Sequence, residues 1–186
     1  MKLKKYSSYE DYVSEQTELN ILKEDNVFII EEEISQICDY IKEHVERPDF
    51  GICHGVRNGY EVKELRKRLG FNIIGTEISS TANKYPNVIQ WDFNEVKPEW
   101  VRNTDFIYSN SLDHSINPTL CVKAWLSCLK KDGVLIVCWS SAHVGPATGG
   151  DCFSATLEEY ESLFKEYKIE TKKVTAERCL IFVECK

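Results

Sequence analysis

The sequence lacks an excess of positive charge and any apolar run long enough to span a membrane. Its 186 residues include 23 Lys and Arg against 30 Asp and Glu, for a formal net charge of -7. An acidic surface repels phosphate, which disfavours a nucleic-acid partner, and we interpret the basic clusters Lys63–Arg68 and Lys168–Lys173 as solvated faces. The first residues, MKLKKYSSYE, carry no apolar stretch typical of a signal peptide. We therefore expect no membrane partner and a cytoplasmic location.

The sequence also lacks the cysteine and histidine spacings that are typical of metal sites and redox motifs. None of the eight cysteines forms a C-x-x-C pair, which disfavours a zinc knuckle or a redox motif. Several lie at apolar positions, as small buried thiols do in a reducing compartment. The four histidines include three in predicted loops, and because separate loops provide no ligand-spacing signature, we predict no metal site.

Hydrophobic periodicity predicts strands that alternate with helices. The expected helices cover residues 8–22, 28–46, 56–69, 79–85, 117–129 and 156–165. The expected strands cover 50–53, 71–76, 88–91, 104–108 and 134–139, followed by a hairpin of 167–172 and 179–184. This order favours a single α/β domain over 1–186, with a doubly wound, mostly parallel sheet and helices on both faces. Residues 49–186 form the predicted core, and 1–48 are expected to fold over it as a helical lid that presents Tyr12 or Gln16.

The carboxyl ends of parallel strands are where such sheets bind ligands, and the first two loops there carry a glycine turn and an acid. Gly55 and Gly59 permit a tight turn at which a ligand approaches the backbone. Glu77 follows the turn by about twenty residues, a spacing at which an acid can accept hydrogen bonds from both ribose hydroxyls. In the third loop, Asp92 could accept from the exocyclic amine of adenine, with Phe93 beside the ring. Together these loops predict a nucleoside-containing ligand.

The fourth and fifth loops are dense in hydrogen-bonding groups. One reads Ser109-Asn110-Ser111-Leu112-Asp113-His114-Ser115, and the other contains His143. Histidines at one sheet edge fit a site where protons move near neutral pH.

The segments GVRNGYEV, NIIGTEIS, NVIQWDF, DFIYSNSLDHSINP and LKKDGVLIVCWSS occur in the order found in one enzyme family. The stretch Gly51–His143 resembles the class I S-adenosylmethionine-dependent methyltransferases. This resemblance implies a Rossmann-like seven-stranded sheet whose last strand is antiparallel, and S-adenosyl-L-methionine as cofactor. By matching position it implies a set of cofactor contacts: Gly55, Gly59, Glu77, Ile78, Asp92, Phe93, Ser109 and Asn110.

Two positions depart from the family's acid-x-Gly-x-Gly-x-Gly turn, because Cys53 replaces the acid and Arg57 the middle glycine. Arg57 either binds the cofactor carboxylate or a substrate phosphate, or blocks binding. For an oxygen or nitrogen acceptor, His114 is the first candidate base and His143 the second, with Asp113 orienting the base or binding substrate.

The short chain favours a small acceptor such as a sugar, nucleotide or metabolite, or a site completed by a homodimer or partner subunit. A non-catalytic cofactor-binding or regulatory subunit and a nicotinamide-dependent oxidoreductase are the alternatives.

Overall fold

The computed structural model describes residues 1–147 and 150–185, so residues 148, 149 and 186 of the predicted domain lie outside the described residues. The α-helices are α1 (Tyr9–Leu22), α2 (Glu31–His44), α3 (Tyr60–Leu69), α4 (Pro118–Cys128) and α5 (Leu157–Glu161). The strands are β1 (Lys2–Leu3), β2 (Phe50–His54), β3 (Asn72–Glu77), β4 (Val88–Gln90), β5 (Thr104–Ser109), β6 (Leu129–Ser140), β7 (Phe153–Ser154), β8 (Lys168–Lys173) and β9 (Arg178–Glu184).

Seven strands form one sheet in the order β4-β3-β2-β5-β6-β9-β8. The pairs from β4 to β6 are parallel, whereas β9 runs antiparallel to both of its neighbours. The predicted seven-stranded sheet, its antiparallel last strand and the terminal hairpin are therefore confirmed. The strand order reverses between β2 and β5, so the carboxyl ends of these strands and of β3 border the switch point at which such sheets bind ligands.

Helices cover both faces of the sheet, as predicted. On one face, α2 buries Ile34, Ile37 and Ile41, each at most 1% exposed, against the sheet together with α3. The burial of each isoleucine side chain contributes about 2 kcal/mol to the stability of the folded state. On the other face, α4 buries Val122 and Trp125 beside residues that follow β7. The two packed faces hold the strand ends, and the loops that leave them, in fixed positions.

Only the first of the two N-terminal helices acts as a cover. Ser8 caps α1, and α1 buries Tyr12 and Gln16 against the loops at the carboxyl edge of the sheet. By contrast, α2 is amphipathic and belongs to the core. This corrects the expectation that all of residues 1–48 form the lid, because the isoleucine stripe of α2 is buried in the core against the sheet.

Other element bounds differ from expectation for local reasons. Helix α3 begins at Tyr60 rather than at residue 56, because left-handed residues interrupt the chain before it. Helix α2 begins at Glu31 rather than at residue 28. Ile30 is the residue that precedes the helix, and its backbone N–H donates to the Glu33 carboxylate at 2.9 Å. The short pair β1–β7, which was not predicted, joins Lys2 to Ser154. No described helix combines the length and apolarity that crossing a membrane requires.

Candidate ligand-binding cleft

Two adjoining cavities lie at the carboxyl edge of the sheet. The lid cavity, about 40 Å³, lies between α1 and the loops that carry Gly55, Glu77 and Asp92. The loop cavity, about 380 Å³, lies between the loops after β5 and β6 and includes Asp113 and Asp151. Both cavities are lined by the same five residues at their junction: Lys23, Gly55, Arg57, Ser111 and His114.

The turn after β2 contains three residues in the left-handed backbone region, with φ of 72° at Gly55, 48° at Arg57 and 71° at Gly59. At Gly55 a Cβ atom would lie 2.6 Å from the Cβ of Ser111, so only glycine fits there. The Gly55 N–H donates to the Thr76 carbonyl oxygen at 2.9 Å. The turn is thereby held against the end of β3, where the predicted acid lies.

Glu77, at the end of β3, is 1% exposed and already has hydrogen-bond donors. Its Oε2 accepts from Arg57 N at 2.9 Å, and its Oε1 accepts from Ser79 N at 3.0 Å and from the Asn20 side chain of α1. Burial raises the pKa of Glu77, although the backbone N–H bonds and the Arg57 charge oppose the shift. A side chain of α1 thus occupies Oε1 of this carboxylate.

Asp92 is bound by α1 in the same way. Its Oδ2 accepts from the Tyr9 hydroxyl, and its Oδ1 accepts from the Asn94 backbone and side chain at 2.8 Å. Phe93 and Ile78 line the same cavity. The structure thus brings together six predicted cofactor-binding residues around the lid cavity: Gly55, Arg57, Glu77, Ile78, Asp92 and Phe93.

Arg57 turns its side chain away from the turn and onto the lid. Its Nε donates to Asn20 Oδ1 at 2.9 Å, and its guanidinium carbon lies 4.7 Å from the centroid of the Phe28 ring. Burial lowers the pKa of Arg57, while Glu77 and Glu61 oppose the shift. The Arg57 side chain is therefore held against Asn20 of α1 and the Phe28 ring.

Three other predicted cofactor contacts lie elsewhere. Gly59 caps α3, with Val88 behind it, and lines neither cavity of the cleft. Ser109 is fully buried and donates to the His54 carbonyl oxygen at 3.0 Å. Asn110 lines the loop cavity rather than the lid cavity. Gly59 and Ser109 thus support the loops and Asn110 lines the neighbouring cavity, and their contacts with the cofactor stay predictions.

In the loop cavity, Asp113, His143 and Asp151 converge from two loops. His143 Nδ1 lies 3.2 Å from Asp113 Oδ2 and 3.1 Å from Asp151 Oδ2. The Asp151 hydrogen bond raises the pKa of His143 against the effect of burial. Burial opposes the corresponding shift at Asp151, but His143 lowers the pKa of that carboxyl. Sequence reasoning singled out Asp113 and His143 and missed Asp151, which lies in a turn with no motif of its own.

His114 joins this group from the side of the lid. Its Nδ1 lies 2.8 Å from the Gly150 carbonyl oxygen and 3.0 Å from Gln16 Oε1. Since a carbonyl oxygen only accepts, Nδ1 is the hydrogen-bond donor, and in the neutral ring the lone pair therefore lies on Nε2. That Nε2 atom lies 3.6 Å from Asp113 Oδ2.

His54, the third histidine of the predicted loops, is not part of the cleft. It is 2% exposed, stacks on Trp125 and pairs with Thr76 Oγ1 at 2.8 Å. Burial lowers the pKa of His54 to about 3.

All eight cysteines are free, and six are buried, as expected of small core thiols.

No protein-family model matches the chain, and none of the curated proteins matches it by sequence. Solved structures do match it. One is the 1,6-didemethyltoxoflavin-N1-methyltransferase of Burkholderia thailandensis with bound 1,6-didemethyltoxoflavin and S-adenosylhomocysteine, at 11% identity and a TM-score of 0.77, covering 98% of this chain and 92% of that one.

Two further matches differ widely in what they bind. One is a putative methyltransferase of Haloferax volcanii in complex with its Trm112 activator (14% identity, TM-score 0.69, 96% and 99% of the two chains). The other is the geranyl diphosphate C-methyltransferase of Streptomyces coelicolor A3(2) in complex with Mg²⁺, geranyl diphosphate and S-adenosyl-L-homocysteine (10% identity, TM-score 0.67, 97% and 100%). The strand order, the antiparallel last strand and these matches agree that the chain has the fold of the class I S-adenosylmethionine-dependent methyltransferases.

Proposed function

We propose that this protein is an S-adenosylmethionine-dependent methyltransferase that methylates an oxygen or nitrogen of a small molecule such as a sugar, nucleotide or metabolite. The observation that carries the proposal is that Gly55, Glu77 and Asp92, from three separate loops, line one cavity. Each group suits one part of a bound nucleoside cofactor. Gly55 lets the ligand approach the backbone closely, Glu77 can accept from the ribose hydroxyls, and Asp92 can accept from the adenine amine. Solved methyltransferases of this fold with bound S-adenosylhomocysteine add support.

Cofactor binding requires α1 to move. Ligand pockets are typically about 300 Å³ or larger, whereas the lid cavity measures about 40 Å³. The groups that fill it are lid side chains, with Asn20 on Glu77 and Tyr9 on Asp92. A nucleoside would replace these two hydrogen bonds with its own, so the residues present fit the cofactor once α1 lifts.

The loop cavity adjoins the cofactor groups and is large enough for a small acceptor. When bound, S-adenosylmethionine supplies an electrophilic methyl carbon on a sulfonium, which an acceptor oxygen or nitrogen displaces to leave S-adenosylhomocysteine and a proton. The chain contributes mainly by holding donor and acceptor in line and by excluding water. Because the cavities share Gly55, Ser111 and His114, we assign the transfer to that junction.

His114 is the proposed proton acceptor. Gly150 and Gln16 fix its tautomer, so the lone pair of Nε2 is available at the junction. Asp113 and His143 are proposed to hold the acceptor in the loop cavity, which they line. Asn110 lines the same cavity, and we propose that it contacts the acceptor.

The sheet order argues against a nicotinamide-dependent oxidoreductase. The usual dinucleotide-binding sheet is parallel, whereas β9 is antiparallel here. A non-catalytic subunit would bind the cofactor through the same residues as an enzyme, but it would need no cavity for an acceptor. Cofactor binding alone therefore does not distinguish the two, and methyl transfer must be measured separately.

Calorimetry with S-adenosylmethionine, S-adenosylhomocysteine and NAD tests the cofactor. We expect the first two to bind and NAD not to bind; binding of NAD alone, or of none of the three, would reject the proposal. Catalysis is tested by incubation with methyl-labelled S-adenosylmethionine and a protein-free metabolite extract. Label in a small-molecule product is expected, and cofactor binding without such a product points to the non-catalytic subunit.

A matched pair of histidine variants tests the base. His114→Gln should slow transfer about 100-fold, the range of general base catalysis, with S-adenosylhomocysteine affinity unchanged. His44→Gln is the control, because His44 lies on α2, where its Nδ1 is 3.0 Å from the Tyr40 carbonyl oxygen. Unchanged transfer in His114→Gln would remove this residue from the chemistry.

A further inference from the structure

Three side chains in the loop cavity direct potential ligand atoms at one point. One nitrogen of His143 and one carboxylate oxygen each of Asp113 and Asp151 all lie within 4.8 Å of one another. The separations from His143 Nδ1 to the two oxygens are 3.2 and 3.1 Å. Atoms that share a first-row metal ion at about 2.1 Å are themselves about 3 to 4 Å apart. Both measured separations from His143 Nδ1 are therefore those of ligands that share one ion.

The group is short of positive charge. A single Nδ1–H can serve only one of the two carboxylates, and its hydrogen bond goes to Asp151 Oδ2. Asp113, which is 4% exposed, is left with an Oδ2 atom that has no hydrogen-bond partner within the described ranges. The other histidine that faces this oxygen is His114, and its Nε2 atom, at 3.6 Å, lies beyond hydrogen-bond distance. A buried carboxylate oxygen without a donor is costly, and a cation at this point would remove the cost.

The donor set also discriminates among ions. Imidazole suits zinc, iron and related transition metals, whereas Mg²⁺ and Ca²⁺ prefer oxygen ligands alone. Three protein ligands leave coordination positions for water or substrate, as in catalytic rather than structural metal sites.

We propose that Asp113, His143 and Asp151 bind a divalent transition-metal ion in the loop cavity. Its open positions face the cavity, where they can take an oxygen or nitrogen of the acceptor. Binding displaces the proton on His143 Nδ1, which is released to solvent as the nitrogen becomes a ligand. The role toward an acceptor rests on the proposed function, whereas the ion site itself does not. The sequence predicts no metal, because the ligands come from two loops and one of them was not recognised.

Manganese titration tests the site directly. Mn²⁺ is the probe because eight cysteines would compete for zinc, and free Mn²⁺ is counted by its electron paramagnetic resonance signal. Chelator-treated protein should bind one Mn²⁺ per chain. The variants Asp151→Asn and His143→Gln should weaken binding at least 100-fold, while the matched controls Asp49→Asn and His44→Gln should not. Both ligand variants lie on partly exposed loop positions, and circular dichroism checks their folding.

Absence of saturable Mn²⁺ binding, or equal binding by ligand and control variants, would overturn the proposal and leave an ion pair of imidazolium and carboxylates. S-adenosylhomocysteine calorimetry on the same samples separates the two claims. Cofactor binding without Mn²⁺ binding rejects the metal site alone. Mn²⁺ binding without cofactor binding rejects the proposed function alone.

Discussion

The two cavities of the cleft lie side by side but are opposites in how their polar groups are satisfied. In the lid cavity, Glu77 and Asp92 are both bonded by side chains of α1, and about 40 Å³ remains. In the loop cavity about 380 Å³ is open, and one buried oxygen of Asp113 has no hydrogen-bond donor among residues 1–147 and 150–185. The protein itself closes the lid cavity, whereas the loop cavity is open.

The largest expected effect is at Glu77, the acid that defines the lid cavity as a nucleoside site. Glu77→Gln removes the charge from hydrogen bonds to both ribose hydroxyls, which should weaken S-adenosylhomocysteine binding about 100-fold, or about 3 kcal/mol. Calorimetry measures this change. Glu99→Gln, at a 65% exposed side chain, is the control and should leave the affinity unchanged. If Glu77→Gln binds as tightly as the parent protein, the ribose does not lie at this acid.

The next effect concerns a second buried acid, Glu61, in the wall of the loop cavity. Burial raises the pKa of Glu61 to about 7. Because the unfolded chain loses this proton near pH 4.5, the unfolded state binds fewer protons between the two values, and stability falls as pH rises. The resulting loss between pH 5.5 and pH 8 is about 2 kcal/mol.

Glu61→Gln should remove that loss. In denaturant unfolding, the free energy of unfolding of the parent protein should fall from pH 5.5 to pH 8 by about 2 kcal/mol more than that of the variant. A parallel pH dependence in both proteins would contradict the burial account of Glu61.

A smaller effect is expected from the lid, and with the opposite sign to that at Glu77. Asn20→Ala removes the side chain that competes with ribose for Glu77 Oε1. S-adenosylhomocysteine should bind about fivefold more tightly, since roughly 1 kcal/mol of intramolecular hydrogen bonding no longer has to be broken. Ser14→Ala, elsewhere on α1, is the matched control, and weaker binding by Asn20→Ala would show that Asn20 contacts the cofactor instead.

The smallest effect is expected at Arg57. Its guanidinium lies on Phe28 and Asn20 rather than in the turn, so Arg57→Gly should change the S-adenosylhomocysteine affinity by less than about threefold. A loss beyond tenfold would mean that Arg57 binds the cofactor carboxylate. A gain beyond tenfold would mean that the side chain blocks binding.

How much the sequence predicts also differs between the two cavities. Glu77 and Gly55 could be found from spacing alone, because a strand, a helix and a second parallel strand place them side by side, as the pairing of His54 with Thr76 reflects. The loop cavity depends on how long loops pack, so Asp151 was missed.

The same reason explains the errors. Periodicity finds α2 but not its place in the core, since a lid helix and a packed helix can share one pattern. Gly55 and Gly59 look alike in sequence, yet only Gly55 lines the cleft, because Gly59 is the residue that caps α3 and it packs against Val88.

A crystal structure of the complex with S-adenosylhomocysteine tests the central claim most directly. We expect the ribose hydroxyls on Glu77, the adenine amine near Asp92, and α1 shifted so that the Asn20–Glu77 and Tyr9–Asp92 hydrogen bonds are broken. A complex in which both lid bonds persist and the nucleoside lies elsewhere would contradict the assignment of the lid cavity to the cofactor.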